Sequence, residues 1–495
     1  MSWKEIKNLT PVPLEEIPIL SPDDFRQQIL QAVSSGCRVV QFFGEKIAEG
    51  VRLYAVMGDD RKSVLMLAST ILHDSQGYRS LTPEVPMFHL FEREVYEQFG
   101  VEPIGHPWLK PVRHGIAGIH KDRRPYEFFS IKGDEVHEVG VGPIHAGIIE
   151  PGHFRFSCLG EQVEHLEIEL GFQHRGVERL FVEHRDHPAY LTALSESIAG
   201  DTVIGHASAF HSAVEALAGC PVPHRASSLR LIMLELERIA NHTGDLAALA
   251  NDIAYLTGYA VFGALRTRII NLSLSICGSR FGRGMITFGG VRYDISAAAV
   301  QEISDELCRF QEDIQRAAEV MFSSPSVLAR FEKTGVVPVD TARAIGMVGP
   351  AARASGLSVD VRADYPVGAY LHRPVHKLTL QSGDVMSRAL IRQIEIKQSI
   401  QLILEELRYL PGGEVISPLK SPESQALVVS MVEGWRGEIV HVLITDRDGK
   451  VRRCKLKDPS FHNWFGLALA VRGNGISDFP LCNKSFNLSY CGFDL

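Results

Sequence analysis

The hydrophobic pattern changes its period along the chain, and this change limits the folds that the chain can adopt. Over residues 139–170, apolar and polar residues alternate in two stretches, which predicts a β-hairpin or meander. Apolar residues then recur at helical spacing over 227–249, 301–333 and 384–407. Charged residues fall mostly opposite the apolar ones, so we expect them on solvated helix faces. The pattern therefore predicts long core helices preceded by strands.

The first 80 residues predict a small α+β module. Residues 23–34 have the spacing of a helix, and Ser21 and Pro22 stand where a helix begins. Residues 37–43 and 51–57 predict two strands joined by a turn that contains glycine, and residues 64–72 predict a third.

Length and charge exclude several classes of protein. A chain of 495 residues is too long for one core, so we expect two or three domains. A net charge of −8 gives no basic surface for nucleic acid. The longest uncharged apolar run, residues 253–265, is shorter than the roughly 20 residues of a membrane span. The N-terminus has no apolar secretory segment. We therefore expect any membrane role to come through partner subunits.

Cysteine and glycine spacing argue against a cofactor held by a local motif. The eight cysteines include no CxxC pair, which argues against a zinc ribbon or a self-contained iron–sulfur site and suits a reduced cytosolic protein. The nearest two, Cys482 and Cys491, are interpreted as packing residues, with a metal role as the alternative. The glycines at 282–284 and 472–475 lack the strand-then-helix context of a nucleotide loop, so we do not expect NAD binding.

Residues 141–180 closely resemble a segment of the large subunit of membrane-bound nickel–iron hydrogenases, of the formate hydrogenlyase and hydrogenase-4 type. These subunits are related to the quinone-site subunit of respiratory complex I. Residues 86–109 resemble the 30-kDa-type subunit that accompanies it, with a triplet at Glu92, Arg93 and Glu94. An exposed helix face is the alternative interpretation of that triplet. Further matching segments lie at 279–291, 354–366, 383–388 and 437–461.

The resemblance implies an α+β fold in three parts. Residues 1–110 would form a 30-kDa-like α+β domain, 111–134 a linker, and 135–495 a mainly helical large-subunit domain that begins and ends with β-rich segments.

The resemblance also implies that a metal site has been lost. Hydrogenases of this family hold nickel and iron with two CxxC pairs, whose slots are here 199–202 and 489–492. The four ligand positions are Ala199, Thr202, Ser489 and Gly492, and none carries a thiolate. Because nickel and iron need soft sulfur donors there, we expect no metal on this chain.

Other residues match functional positions of the relatives. Glu178 matches a proton-carrying glutamate, with Arg175 in the same motif, although an ion pair with Arg175 or Arg179 is the alternative. His206 matches the histidine after the first metal motif, or it is a satisfied core residue. Asp201 is new to both families, and it could carry protons or pair with Arg362 or another arginine of the closing segment, since a buried charge needs a partner.

The complex I relative implies an acceptor site. Its quinone-site subunit presents a histidine on a strand–turn–strand loop, which here is either His145 or His153. The tyrosine that should complete the pair is absent near position 200. Arg362 and Asp364 lie in the segment that closes over the site in the family. Quinone is thus a possible ligand, and no other cofactor is expected on this chain.

Two hypotheses follow. The first is a subunit of a complex I-like oxidoreductase without the nickel centre, which takes electrons from an iron–sulfur small subunit and is coupled to antiporter-like membrane subunits. It would lie in the cytoplasm, on the inner face of the membrane. The second is a non-catalytic scaffold in the same complex. The retained polar residues favour the first hypothesis, because a disused pocket tends to fill with apolar side chains.

Overall fold

A computed structural model describes residues 3–73, 76–113, 126–145, 147 and 149–495. Within these ranges the strands are β1 Lys4–Ile6, β2 Val12–Pro13, β3 Ile19–Leu20, β4 Arg38–Ile47, β5 Gly50–Asp59, β6 Val64–Leu72, β7 Tyr78–Arg79, β8 Pro103–Ile104, β9 Val136–Val141, β10 His153–Leu159, β11 Gln162–Glu169, β12 Ile286–Thr287, β13 Gly290–Val291, β14 Ala426–Gly434, β15 Gly437–Thr445 and β16 Val451–Lys457.

The helices of the same ranges are α1 Pro22–Ser34, α2 His89–Phe99, α3 Val177–Glu183, α4 Pro188–Ser195, α5 Val203–Leu217, α6 His224–Asp252, α7 Leu256–Cys277, α8 Ala297–Ser323, α9 Pro325–Phe331, α10 Val339–Ala344, α11 Gly349–Ala354, α12 Val361–Asp364, α13 Val385–Arg408, α14 Ser460–Val471, α15 Phe479–Phe486 and α16 Tyr490–Asp494. Short 3-10 helices lie at Leu14–Glu16, Pro86–Phe88, Gly368–Leu371 and Ile476–Asp478. The α+β class predicted from the sequence is confirmed.

The N-terminal module is a sheet covered by helices. Its strand order is β1-β6-β5-β4, with β3 parallel to β6. Helix α1 begins where the sequence predicts, because the Ser21 hydroxyl accepts a hydrogen bond from the Asp24 amide at 3.1 Å. The three predicted strands are confirmed as β4, β5 and β6. Helix α2 is buried along the Glu92, Arg93 and Glu94 triplet, so the alternative of an exposed face is wrong.

The N-terminal residues also take part in the C-terminal sheet, whose order is β16-β15-β14-β2. Strand β2 pairs with the start of β14, and its Pro13 suits an edge strand because it has no amide hydrogen to donate. The Asn8 side chain bonds the backbone of Met431 in both directions, at 3.0 and 2.9 Å. The two proposed domains are therefore joined by backbone pairing, and their boundary stays a prediction. The linker lies partly outside the described residues; its described parts, 111–113 and 126–134, contain no helix or strand.

Helices α5 to α8 and α13 enclose the largest apolar core. Helices α6 and α13 confirm the predicted helices at 227–249 and 384–407, and Asp384 caps α13 by accepting from the Ser387 amide at 2.8 Å. The single helix predicted at 301–333 is wrong. Helix α8 stops at Ser323 and α9 starts at Pro325, because proline has no amide hydrogen and clashes with the preceding turn.

Helix α7 is the one described helix that is long and apolar enough to cross a membrane, by length and composition alone. The sequence prediction missed it because Arg266 and Arg268 interrupt the apolar run. Core helices of globular proteins meet the same criterion, and one face of α7 packs on the apolar core through Phe262, Leu265 and Ile269.

Candidate functional site

The two segments that hold the former ligand positions lie together, and we call them slot segment 1 (199–202) and slot segment 2 (489–492). Arg175 bridges Ile198, the residue just before slot segment 1, and Cys491 of slot segment 2. Its guanidinium donates to the Ile198 carbonyl at 2.8 Å and to the Cys491 carbonyl at 3.3 Å. The predicted pair between Arg175 and Glu178 is not formed. Arg175 therefore holds the two parts of the chain next to each other.

The loop between β9 and β10 lies against slot segment 2. A Cβ atom added to Gly152 would lie 2.7 Å from the Tyr490 ring, so the two backbones approach closely. His145 Nε2 bonds the Gly152 carbonyl at 2.9 Å, and His153 Nδ1 bonds the Gly142 carbonyl at 3.1 Å. Because a carbonyl only accepts, each bonded nitrogen carries the proton. The second nitrogen of each neutral ring is then an acceptor, and it donates to a ligand only when the ring is protonated.

Asp201 is paired, but with a different arginine from the one predicted. Both of its carboxylate oxygens bind the Arg436 guanidinium, at 2.6 and 2.7 Å. Arg436 comes from the turn between β14 and β15 and stacks on Trp435, 3.9 Å from the ring centroid. Burial alone would raise the pKa of Asp201, but the charge and hydrogen bonds of Arg436 lower it. The side chain of Asp201 stays 38% exposed, so the pair borders solvent.

His206 is fully buried in a chain of polar groups. Its Nε2 bonds Asp458 at 3.1 Å and its Nδ1 bonds His441 at 3.1 Å. Burial would raise the pKa of Asp458, but the hydrogen bond with His206 and the charges of His206 and Arg436 lower it. Burial and then the neighbouring His206 lower the pKa of His441 well below its ordinary value. His206 is thus a satisfied core residue, hydrogen-bonded to Asp458 on one side and to His441 on the other.

Position 492 has no space for a cysteine. A Cβ atom added to Gly492 would lie 2.7 Å from both Cγ and Oδ2 of Asp458 and 2.9 Å from the Ser489 hydroxyl. Ser489 caps α16 by accepting from the Gly492 amide at 2.9 Å, and Thr202 Oγ1 accepts from Arg436 at 3.2 Å. In the described ranges, no group of three or more His, Cys, Asp or Glu side chains is arranged to hold a metal ion.

Glu178 is ion-paired with residues of β16 rather than with Arg175 or Arg179. Its carboxylate accepts from Lys455 Nζ at 2.9 Å, the Leu456 amide at 3.0 Å and Arg453 at 3.2 Å. Burial would raise its pKa, but Lys455 and Arg453 hold it well below its ordinary value. Glu178 is therefore ionised in this arrangement, and its role as a proton carrier stays a prediction.

Arg362 and Asp364 are ion-paired with groups of the chain itself, and their predicted role in binding the acceptor stays a prediction. Arg362 binds Asp360 at 2.7 Å and Glu235 at 3.2 Å, and its side chain is fully buried. Asp364 accepts from Lys377 at 2.6 Å. These partners use the charges that would otherwise be free to bind a ligand.

Glu237 is a candidate that sequence analysis missed, because a charged residue on an amphipathic helix is expected to be solvated. It caps the start of α5 by accepting from the Ile204 amide at 2.7 Å and the Gly205 amide at 3.1 Å. Burial and then the charge of Asp201 raise its pKa to about 8, although the two amides lower it. A carboxyl group with a raised pKa thus lies beside slot segment 1.

We expect Glu237→Gln to stabilise the protein at alkaline pH. A carboxyl whose folded pKa is raised contributes stability below its ordinary pKa, and this contribution is lost as pH rises to about 8. The variant should gain up to about 1.4 kcal/mol for each pH unit in that window. Urea unfolding at pH 6 and pH 8.5 measures this gain, with the exposed Glu312→Gln as control. Equal pH slopes in variant and wild type would contradict the assignment.

Comparison with known proteins agrees with the fold. The family model of the respiratory-chain NADH dehydrogenase 49 Kd subunit matches residues 252–427 and 417–494, and that of the 30 Kd subunit matches residues 37–114. Formate hydrogenlyase subunit 5 of Escherichia coli is 30% identical over 433 residues, which cover 83% of this chain and 76% of that protein.

Two further relatives are a hydrogenase subunit and an NADH-quinone oxidoreductase subunit. The membrane-bound hydrogenase subunit alpha of Pyrococcus furiosus is 31% identical over 71% of this chain and 85% of its own length. The NADH-quinone oxidoreductase subunit 4 of Thermus thermophilus is 29% identical over 73% of this chain and 95% of its own length.

The fold and these relatives therefore define a large subunit of the oxidoreductase class. The chain belongs to the family that contains the 49-kDa subunit of respiratory NADH dehydrogenase and the large subunits of related hydrogenases, fused here to the 30-kDa-type domain. The resemblance predicted from the sequence is confirmed.

Proposed function

We propose that this chain is the large subunit of a membrane-associated, complex I-like oxidoreductase that works without a nickel–iron centre. It takes electrons from an iron–sulfur small subunit and passes them to a quinone or another acceptor, coupled to proton movement. The observation that carries this proposal is the content of the slot segments. A family scaffold is retained, while Asp458 fills the space beside Gly492 and the Arg436–Asp201 pair borders slot segment 1.

The residues present do not fit nickel and iron. Ala199 and Gly492 have no donor atom, and Thr202 and Ser489 carry hydroxyl groups that are already hydrogen-bonded. Soft metals need thiolate ligands. The remaining thiol of slot segment 2 is Cys491, whose pKa is raised by burial and then by Glu150, which keeps it protonated.

Buried polar groups support proton movement near the slots. Asp458, His206 and His441 form a continuous chain of hydrogen bonds, each with 3.1 Å between its donor and acceptor atoms. Glu237 lies beside it with a pKa that is raised by burial to about 8. His145 or His153 would contact the acceptor from the loop between β9 and β10. Each would donate after protonation, since its neutral form offers an acceptor nitrogen.

The partners follow from the relatives. The names of several relatives describe membrane-bound or quinone-linked complexes, and we propose the same setting for this chain. It would bind an iron–sulfur small subunit and antiporter-like membrane subunits, and lie on the cytoplasmic face of the membrane.

One observation favours a scaffold instead. Asp201, Glu178 and Arg175 each bind groups of the chain itself, which leaves few polar atoms free for a substrate. The chain would then hold its partner subunits in register without touching the acceptor.

Metal analysis of the native complex, purified through a tag on this chain, tests the proposal. We expect iron from partner clusters and nickel far below one atom per chain. Nickel near one per chain would overturn the proposal, because the metal would then be held by ligands outside the slots.

Turnover with a short-chain quinone separates the catalytic proposal from the scaffold. We expect Glu178→Gln to lower the rate at least about tenfold and to change its pH profile, since general acid–base groups contribute about 10²–10⁴-fold. Glu183→Gln on the same helix is the control, because among the described residues Glu183 pairs with the exposed Arg179 alone. If both variants assemble and turn over equally, the scaffold is favoured.

A further inference from the structure

A cavity of about 250 Å³ lies apart from the slot segments, between α5, α6, β14 and the closing segment 361–370. Its apolar wall includes Leu231, Leu234, Val361, Met431 and Val432. None of the slot residues lines it. A ligand of this cavity would therefore be independent of the proposed function.

The charged groups of the wall are already neutralised by protein partners. Arg230 binds both oxygens of Glu215, at 2.8 and 2.6 Å. Arg362 binds Asp360 and Glu235, and Glu433 accepts from Arg353 at 2.8 Å. An anionic ligand would enter this wall without a free positive charge, and an unpaired buried charge is costly. The cavity therefore selects against anions.

The wall does offer hydrogen-bonding capacity. The Ser208 side chain on α5 is more than nine-tenths buried, and its hydroxyl has no hydrogen-bond partner within the described residues. A buried hydroxyl without a partner is uncommon and costs free energy. A serine hydroxyl can donate to a carbonyl or accept from another hydroxyl. Ser208 therefore favours a ligand that carries one such group.

Gly368 of the cavity wall lies close to the start of α6. Gly368 has φ +57°, and a Cβ atom there would lie 2.7 Å from the Ser227 hydroxyl. Glycine is therefore required for the chain to pass this close to Ser227. The exposed Gly368 and the half-buried Val222 and Val367 form the rim toward solvent.

We propose that this cavity binds a neutral, compact, apolar molecule of about ten ring atoms with one hydroxyl or carbonyl group. The size follows from volume, because an apolar protein cavity of about 150 Å³ holds benzene. The apolar body would contact the leucine and valine side chains. Its single polar group would complete the hydrogen bonding of Ser208.

Binding of 2-naphthol to the purified native complex tests the proposal. We expect one saturable site per chain by calorimetry. Naphthalene should bind about two- to tenfold more weakly, because it lacks the hydrogen bond. The anion 2-naphthoate should bind at least about tenfold more weakly, because the wall offers no free positive charge. Equal affinity for 2-naphthol and 2-naphthoate would overturn the proposal.

Two variants locate the site. Ser208→Ala should reduce 2-naphthol affinity to that of naphthalene, while Ser228→Ala should leave it unchanged, because the buried Ser228 bonds the His224 carbonyl outside the cavity. Ala216→Leu adds bulk to the wall and should lower the affinity at least about tenfold, with the exposed Ala260→Leu as control. Wild-type binding by both Ser208→Ala and Ala216→Leu would overturn the proposal.

Discussion

Replacing Arg353 with methionine is expected to lower the free energy of unfolding by about 3–5 kcal/mol. Arg353 is fully buried and binds Glu395 at 2.7 and 2.9 Å and Glu433 at 2.8 Å. It also donates to the Val359 carbonyl at 2.9 Å. Methionine fills similar volume but leaves both carboxylates with one fewer partner. Removing one member of a buried ion pair is costly because the other charge stays buried.

The loss of unfolding free energy should grow with pH, because the buried ion-pair network around Arg353 is already rich in carboxyl groups. Among the described residues it joins four of them to three guanidinium groups: Glu235, Asp360, Glu395, Glu433, Arg238, Arg353 and Arg362. His242 donates to Glu395 but adds no charge, since burial lowers its pKa. Glu433 shows the effect of this excess of carboxyl groups. Burial and then the charge of Asp360 raise its pKa to about 7.

The pH dependence has a definite sign. A carboxyl with a raised folded pKa contributes stability below its ordinary pKa, and the contribution is lost as pH rises through the folded value. Without Arg353, the pKa of Glu433 rises further, so the deficit of the variant should be larger at pH 8 than at pH 6. Urea unfolding at both values measures it.

Arg343→Met is the matched control for Arg353→Met. The Arg343 side chain is 62% exposed and pairs with Asp340, which is 90% exposed, so the expected change is below about 0.5 kcal/mol. A cost below about 1 kcal/mol for Arg353→Met would show that the network relaxes around the missing guanidinium.

Local patterns predicted the elements better than their ends. Strands β4 to β6 and helix α1 follow from alternation, helical spacing and a serine cap. The break between α8 and α9 was missed because the helical spacing continues through Pro325, and only the geometry of proline stops the helix. Strand β2 was also missed, since a two-residue edge strand depends on β14, which lies at the far end of the chain.

The candidate site was also predictable only in part. The motifs identified which segments meet, and the slot segments do converge around Arg175. Ion-pair partners were not predictable, because they depend on distant packing. Asp201 binds Arg436 rather than Arg362, and Glu178 binds Lys455 rather than its helix neighbours. The sequence carries no spacing signal for such pairs.

Replacing Lys455 with methionine is expected to have the second large effect, a loss of about 3–5 kcal/mol. Lys455 lies on β16 and binds both oxygens of Glu94 at 2.7 Å and Glu178 at 2.9 Å. Glu94 belongs to α2 of the N-terminal module and also binds Arg113. Lys455 thus joins the 30-kDa-like module to the large-subunit fold, and its removal leaves Glu94 and Glu178 to repel each other.

The loss caused by Lys455→Met should also grow with pH, but over an acid range rather than between pH 6 and pH 8. The pKa of Glu94, which burial would raise, is lowered by Lys455 and Arg113, so these pairs stabilise above the ordinary carboxyl pKa and lose this effect as pH falls through the lowered value. The difference in unfolding free energy between Lys455→Met and wild type should therefore be smaller in acid, because wild type also loses the attraction between Lys455 and Glu94 there.

A double-variant cycle isolates the contact between Lys455 and Glu178. If the two side chains interact directly, Lys455→Met combined with Glu178→Gln should cost less than the sum of the single changes. Lys450→Met is the control, because Lys450 is 46% exposed and pairs with the exposed Asp186. Strict additivity would mean that Glu178 is held by Arg453 and the Leu456 amide alone. The docking of the two modules would then depend on Glu94, and a functional role of Glu178 could be tested without disturbing assembly.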